Sequence, residues 1–386
     1  MNIKLINKIA KIGTDRFPAA FNVGADIENS NAYMVRSASL HDTEFNPELL
    51  AIARAGAGVN NIPLDKCAAE GIVVFNTPGA NANGVKELCL AALVLASRNI
   101  VGGIEWANTL GADREDVAKA VEAGKSKFAG REILGKTLGV IGLGAIGGLV
   151  ANAARSLGMK VIGCDPYLTV QAAWSLSRSI ERADSYDEIY ATADYVTLHI
   201  PATKDTKGII NKNTIAKMKD GVRIINLARA DLVNQDDMKE ALESGKVAAY
   251  VTDFPTEKTL GMKNTVNIPH LGASTEESED NCAVMAADEL VEFLTTGNIR
   301  NSVNYPSVSI PHTGAARLCV CHRNVANMLS QITAAVSGRG LNIENLSNGS
   351  RGEYAYTIIE LSCAIPEGLS DEVRAIENVI RVREIV

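Results

Sequence analysis

Residues 138–166 read LGVIGLGAIGGLVANAARSLGMKVIGCDP, and this stretch decides the fold. An apolar run ending at Ile141 suits a buried strand, and Gly142, Gly144 and Gly147 follow it in GxGxxG spacing. An alanine-rich helical stretch comes next, and MKVIGCD closes the unit as a second strand. Each glycine has a mechanical reason. The first permits a tight turn, the second lets the backbone approach a pyrophosphate, and the third lets helix and strand pack closely. The helix N-terminus offers free N–H groups and the positive end of a dipole to the phosphates. Asp165 ends the second strand about twenty residues past Gly144, where such a fold places the acid that accepts from the adenosine ribose. An anion there repels a 2′-phosphate, and Cys164, Pro166 and Tyr167 bring no arginine to offset it, so the pattern selects NAD over NADP.

Outward from this unit, the 386-residue chain is long enough for two or three domains. Hydrophobic residues make up 46% and charged residues 22%, the balance of a globular protein. A net charge of −7 argues against nucleic acid or an anionic membrane as the main partner, so an anionic substrate has to be met by local cations. The seven cysteines are scattered without a CxxC pair, which fits reduced thiols in the cytoplasm and gives no metal-ligand spacing. The N-terminal MNIKLINKIAKIG has no signal-peptide pattern, and the longest apolar run, Leu88 to Ala96, is too short to span a bilayer.

Short apolar runs at Ala32 to Val35, Ala51 to Ala53 and Ile72 to Phe75 alternate with helix-compatible stretches. Residues 137–270 repeat the alternation in TLGVIGLG, MKVIGCD, YVTLHIP, VRIINLA and AAYVTDF. Two doubly wound, Rossmann-like α/β domains are therefore expected. VKELCLAALVLASRNI, at 85–100, suits a long buried helix at their boundary, and a second helix over Thr275 to Thr295 would return the chain to the first domain. The expected organisation is a discontinuous first domain at 1–92 and 284–304 and a dinucleotide domain at 93–283. A linker at 305–314, in SVNYPSVSIPHTG, and a ferredoxin-like βαββαβ unit at 315–386 complete it.

Three residues stand near the ends of later strands, where ligands bind in open α/β sheets: Arg229 in INLARADLV, Glu257 in VTDFPTE and His270 in NIPHLGAST. A histidine, with an ordinary pKa of about 6.5, suits proton transfer near neutral pH. A glutamate suits the partner that fixes its tautomer and favours imidazolium. An arginine fork suits a carboxylate. Oxidising a hydroxy acid needs this base and cation beside a nicotinamide that takes the hydride. Singly, each residue has an ordinary reading as a loop histidine, a solvated turn residue or a cap on helix carbonyls.

GKTLGVIGLGAIG, LHIPATKDTKGIIN, INLARADLV, DFPTE and IPHLGAST occur in the order and spacing of the D-isomer-specific 2-hydroxyacid dehydrogenases, which the chain resembles over nearly its whole length. VRSAS, RAGAGVNNI and VFNTPGANANGVKEL are similar to that family's substrate domain. The resemblance implies that Arg229, Glu257 and His270 are catalytic. It adds cofactor contacts at Ala57, Ala145, Ile146, Ile200, Leu227, Ala228, Arg229, His270, Gly272 and Ala273. Two departures stand out. Ala230 replaces a usual glycine, and VTDF replaces LDVF, so Thr252 takes the place of the nicotinamide-facing aspartate with Asp253 beside it; both are candidate contacts.

Within the family the likeness is strongest to members that oxidise D-3-phosphoglycerate to 3-phosphohydroxypyruvate at the start of L-serine synthesis. It implies phosphate-binding cations at Arg36 and Arg54, further substrate contacts at Ser37, Gly56, Gly58 and Asn81, and Lys125 reaching the site of a neighbouring subunit. The last unit resembles an ACT domain, a dimerising module that binds amino acids. That implies an L-serine effector held by His322, Asn324 and Asn342, or a purely structural role, and a homodimer or homotetramer. Alternative substrates within the family are glyoxylate, hydroxypyruvate, D-lactate and 2-oxoglutarate. A reading from another class is an NAD-sensing corepressor-like protein, against which the full catalytic set and the lack of a basic face stand.

Overall fold

The computed structural model describes residues 1–111, 115–312 and 314–386; Thr313, in the expected linker, lies outside them. Two units result, one built from Met1–Asn81 and Glu279–Val386, the other from Ala82–Ser278.

The first unit opens with a parallel sheet of β1 (Asn2–Leu5), β2 (Asn22–Gly24), β3 (Ala32–Val35), β4 (Ala51–Arg54) and β5 (Val73–Asn76), in the order β2-β1-β3-β4-β5. Strands AYMV and AIAR are apolar without alternation because both faces are covered. Met34, Ala53 and Phe75 turn to one core, and Tyr33, Val35, Ile52 and Val74 turn to another.

The second unit carries a parallel sheet of β6 (Thr137–Ile141), β7 (Lys160–Cys164), β8 (Glu181–Arg182), β9 (Tyr195–Leu198), β10 (Val222–Asn226), β11 (Val247–Thr252) and β12 (Thr265–Asn267). Its order is β12-β11-β10-β9-β6-β7-β8. Helices α1 (Ala82–Ser97) and α2 (Ala145–Ser156) share a core with one face of it, through Cys89, Leu93, Val150 and Ala154 against Val140, Val161 and Ile225. Strand order reverses at β6, so the crevice where such sheets hold ligands opens between the loops after β6 and β9. Both parallel sheets are Rossmann-like, as expected from the sequence.

Helix α3 (Glu276–Thr296) presents Cys282, Ala283, Ala286, Ala287, Leu290, Phe293 and Leu294 at three- and four-residue spacing, the apolar stripe of an amphipathic helix. Beyond it, β13 (Ala316–Arg323), α4 (Met328–Gly338), β14 (Ile343–Arg351), β15 (Tyr354–Leu361), α5 (Leu369–Arg374) and β16 (Val379–Ile385) make an antiparallel sheet in the order β14-β15-β13-β16. Alternate residues point oppositely. Leu318, Val320 and Ile359 face α4 and α5, while Cys319, Cys321, Tyr356, Ile358 and Ile385 join the core that contains α3.

This sheet does not stand alone, because its second face is apolar and uses α3 as cover. Arg317 fastens it: the fully buried guanidinium pairs with Glu360 and donates to the carbonyls of Thr296, at 2.6 Å, and Ile310, at 2.8 Å. The segment read as a linker is also tied down. The Asn304 amide accepts from Val74 N–H and donates to Ile72 C=O, both at 2.8 Å, which satisfies the free edge of β5. The Tyr305 hydroxyl reaches Ala68 C=O at 2.8 Å.

Among the described residues no single helix is long and apolar enough to cross a membrane, and no cluster of side chains is arranged to hold a metal ion.

Candidate active site

The glycine loop of the second unit takes the geometry its spacing asks for. Gly142 has φ +89°, and a Cβ there would press on His199 C=O and Ile200. A Cβ on Gly147 would overlap Gly142 C=O, whereas one on Gly144 would meet nothing within 4 Å, which leaves open space at the head of α2. Gly144 supplies no side-chain cap, so the first N–H groups of α2, through Ala145 and Ile146, are left for a ligand. Asp165 is held at the end of β7 by Leu143 N–H and Tyr167 N–H, each at 2.9 Å, one on each carboxylate oxygen. A cradle open only at Gly144, an uncapped helix and a fixed acid fit a dinucleotide.

Behind the loop, His199 hydrogen-bonds Thr197 at 3.0 Å, and burial pulls its pKa down to about 4. It is therefore neutral at working pH and adds no charge behind the pyrophosphate position.

Leu227, Ala228 and Arg229 follow β10 and are shaped by Asn226, a buried residue that no motif reading singled out. Its amide oxygen accepts from Ala228 N–H at 3.2 Å and Arg229 N–H at 3.3 Å, while its nitrogen donates to Arg229 C=O at 2.8 Å. The turn therefore keeps its form with Ala230 in place of glycine, and the Arg229 side chain stands exposed. His270 stacks on Phe254, ring centroids 4.6 Å apart, with its imidazole exposed.

Thr252 and Asp253 are both buried and have different partners. The Thr252 hydroxyl accepts from Phe254 N–H at 3.1 Å and so serves its own turn. Asp253, 1% exposed, faces the loop of Gly272 and Ala273: Oδ2 accepts from Gly272 N–H at 3.3 Å, and Oδ1 is buried without a partner. Burial raises the Asp253 pKa, and His270 and Arg229 pull it back, so both side chains lie within its electrostatic reach. Glu257 is different. It lies on an exposed turn pinned by Thr256 and Thr259, and among the described residues it makes no hydrogen bond or ion pair with His270. Both side chains of the expected glutamate–histidine pair are exposed.

In the first unit, the loop after β3 carries Arg36 and Ser37. Asn7 Oδ1 accepts from the N–H groups of Arg36, Ser37 and Ala38, at 3.1, 3.2 and 3.1 Å, and so fixes the loop. Arg54 Nε donates to Arg36 C=O at 3.0 Å, which ties the Arg54 guanidinium to the Arg36 backbone where β3 and β4 end. Gly56, at φ +148°, is needed there, because a Cβ would overlap the Arg54 guanidinium. Ala57 C=O accepts from Asn76 at 2.6 Å, Gly58 follows in the same loop, and Asn81 keeps a buried Oδ1 without a partner. Arg36 also pairs with Glu279 at 2.5 Å.

The remaining candidates do not join these groups. Lys125 is exposed and pairs with Glu122 at 2.5 Å. His322 is buried, with one ring nitrogen on Arg323 C=O at 2.8 Å and the other on Thr357 at 2.9 Å. Asn324 binds Gly352 C=O at 3.0 Å, and Asn342 is exposed.

Comparison with known proteins agrees with this geometry. Residues 104–272 match the family described as D-isomer specific 2-hydroxyacid dehydrogenase, NAD binding domain. A D-3-phosphoglycerate dehydrogenase of Methanocaldococcus jannaschii is 32% identical over 368 residues, covering 93% of this chain and 67% of that protein. Among solved structures, the NAD+-bound 3-phosphoglycerate dehydrogenase of Entamoeba histolytica covers 79% of this chain and 98% of its own, at 26% identity and TM-score 0.59. A glyoxylate reductase from Paecilomyes thermophila covers 78% and 98%, at 25% identity and TM-score 0.63. The chain belongs to the D-isomer specific 2-hydroxyacid dehydrogenase family, and its second unit carries that family's NAD-binding domain. It spans about half the length of most of the curated relatives it matches.

Proposed function

We propose that the chain oxidises D-3-phosphoglycerate to 3-phosphohydroxypyruvate with NAD. The observation that carries this reading is the pair of guanidiniums at adjacent strand ends, Arg54 Nε on Arg36 C=O at 3.0 Å, with Gly56 stripped of a side chain to admit one of them. Two neighbouring arginine forks match a phosphate dianion better than a methyl or hydroxymethyl group.

His270 takes the proton from the C2 hydroxyl as its C–H bond breaks, and Arg229 holds the C1 carboxylate. The buried carboxylate of Asp253 favours the imidazolium that results. NAD, when bound, supplies the hydride acceptor at C2. Gly142, Gly144 and Gly147 with the head of α2 would hold its pyrophosphate, Asp165 its ribose, and Asp253 its nicotinamide end. In the first unit, Arg36 and Arg54, with Ser37 and Asn81, are the groups suited to a phosphate. Seven unpaired cysteines suit a reducing cytoplasm.

The last sheet is antiparallel in the order β14-β15-β13-β16, and both ring nitrogens of His322 are engaged within the chain. We assign it a structural role in covering α3, so millimolar L-serine should leave the rate unchanged. Exposed Val101 and Ile104, on the helix Ile100–Asn108, suit assembly into a dimer or tetramer.

The test is NADH formation from 3-phosphoglycerate at alkaline pH. His270→Ala should lose about 1,000-fold in kcat. No turnover of phosphoglycerate, with ready reduction of glyoxylate or hydroxypyruvate, would overturn the substrate and keep the family.

A further inference from the structure

We propose that Glu279 is the resident anion of the phosphate site: it occupies Arg36 when no substrate is bound, is displaced by the substrate's phosphate, and so sets the KM. The inference rests on the function proposed above and deepens it with a residue that none of the sequence motifs singled out.

Glu279 stands in the first turn of α3, and its Oε1 lies 2.5 Å from Arg36 Nη2. The two side chains are 42% and 41% exposed, so solvent and ligand reach the pair. A pair this exposed is worth little in net stability, and an incoming anion can replace one partner. Asn7 holds the Arg36 backbone independently, through three N–H groups, so the arginine keeps its place when Glu279 is displaced.

The three charges converge. Cys282 sits one turn further along α3, and its buried thiol, pushed up by desolvation, is pulled down by Arg54 and Arg36 and pushed up again by Glu279. Arg36 thus stands between Glu279, paired with its guanidinium, and Arg54, bonded to its carbonyl. A ligand meets an Arg36 fork already paired with Glu279, and it is repelled by the Glu279 carboxylate in proportion to its own charge. The repulsion on a dianion is twice that on a carboxylate at the same distance. Two readings of Glu279 then differ in sign. If it is a resident anion, its neutralisation tightens substrate binding, and most for a phosphate. If it serves to aim Arg36, its neutralisation weakens binding.

The experiment compares the full-length chain with Glu279→Gln, Arg36→Gln and the double variant. It measures the KM for 3-phosphoglycerate and for D-2-hydroxyglutarate, and the Kd of inorganic phosphate by calorimetry. Glu279→Gln is expected to lower the phosphoglycerate KM and the phosphate Kd by about threefold, the scale a half-exposed pair supports. The hydroxyglutarate KM should fall less, and the gain should vanish in the Arg36→Gln background. A KM unchanged or raised in Glu279→Gln, or an equal gain without Arg36, would overturn the proposal. Thermal unfolding of each variant checks that folded proteins are being compared. A wild type that neither turns over phosphoglycerate nor binds phosphate sinks the functional reading instead.

Discussion

The C-terminal edges of the two parallel sheets do different work by different means. In the second unit the glycine loop uses backbone: Gly142, Gly144 and Gly147 contribute the absence of side chains, and α2 contributes N–H groups. In the first unit the loops after β3 and β4 use side chains, with Arg36 and Arg54 held by groups far off in sequence. A backbone site is encoded locally and shows as a motif. A side-chain site depends on neighbours such as Asn7 and Glu279, which no local pattern marks.

Damage at one edge should therefore leave the other's ligand untouched. Gly147→Ala drives a methyl into Gly142 C=O, and repacking around such an overlap costs about 1–3 kcal/mol. NAD affinity should fall by roughly 10–100-fold, measured by fluorescence titration of NADH, with phosphate affinity unchanged. Equal losses for both ligands would show that the two edges are not separable.

Within the second unit, the acids can be ranked. Asp253→Asn should reduce kcat by about 10–100-fold, because a buried carboxylate with an open oxygen is lost beside His270. Glu257→Gln should change kcat by less than about threefold, since the exposed turn leaves this carboxylate in water. The reverse order would restore Glu257 as the partner of His270. In the first unit, Gly56→Ala should raise the phosphoglycerate KM by about tenfold and leave NADH binding intact, because the methyl displaces the Arg54 fork.

The sequence made the α/β units and the cofactor loop legible because both rest on local pattern: apolar strand runs, glycine spacing and an acid at a strand end. It left Thr252 and Asp253 undecided, because both are buried and only the turn after β11 determines that one accepts from Phe254 N–H and the other from Gly272 N–H. Glu257 matched a motif position, yet a motif does not say that Thr256 and Thr259 will hold the turn in solvent. The 305–314 stretch reads as a linker from its prolines, while the Asn304 amide just before it docks on β5 and the Tyr305 hydroxyl reaches Ala68 C=O. The tail's βαββαβ order was readable from alternation. Its dependence on α3 was not, because Arg317 and Glu360 each look like ordinary surface residues in sequence.

The two units should also answer pH in opposite directions, through one buried group each. Glu289, 7% exposed on α3, is pushed up to about 8 by burial, against the pull of its hydrogen bond from Asn301 at 2.7 Å. The folded chain then binds a proton that the unfolded chain has lost above about pH 4.5. Its stabilising contribution is complete below that value and is lost as pH rises towards 8. His199, held down to about 4, behaves inversely: the unfolded chain binds the extra proton, so stability is full above about pH 6.5 and falls as pH drops towards 4. Glu289→Gln keeps an acceptor for Asn301 without the charge. Its melting temperature should exceed that of wild type by roughly 2–5 °C at pH 8 and match it near pH 5. His199→Gln should leave the alkaline side alone and flatten the decline between pH 6.5 and 5. Calorimetric scans of the three proteins across that range check both signs. An advantage of Glu289→Gln that grows towards acid would show that Glu289 is charged in the folded chain and satisfied as such.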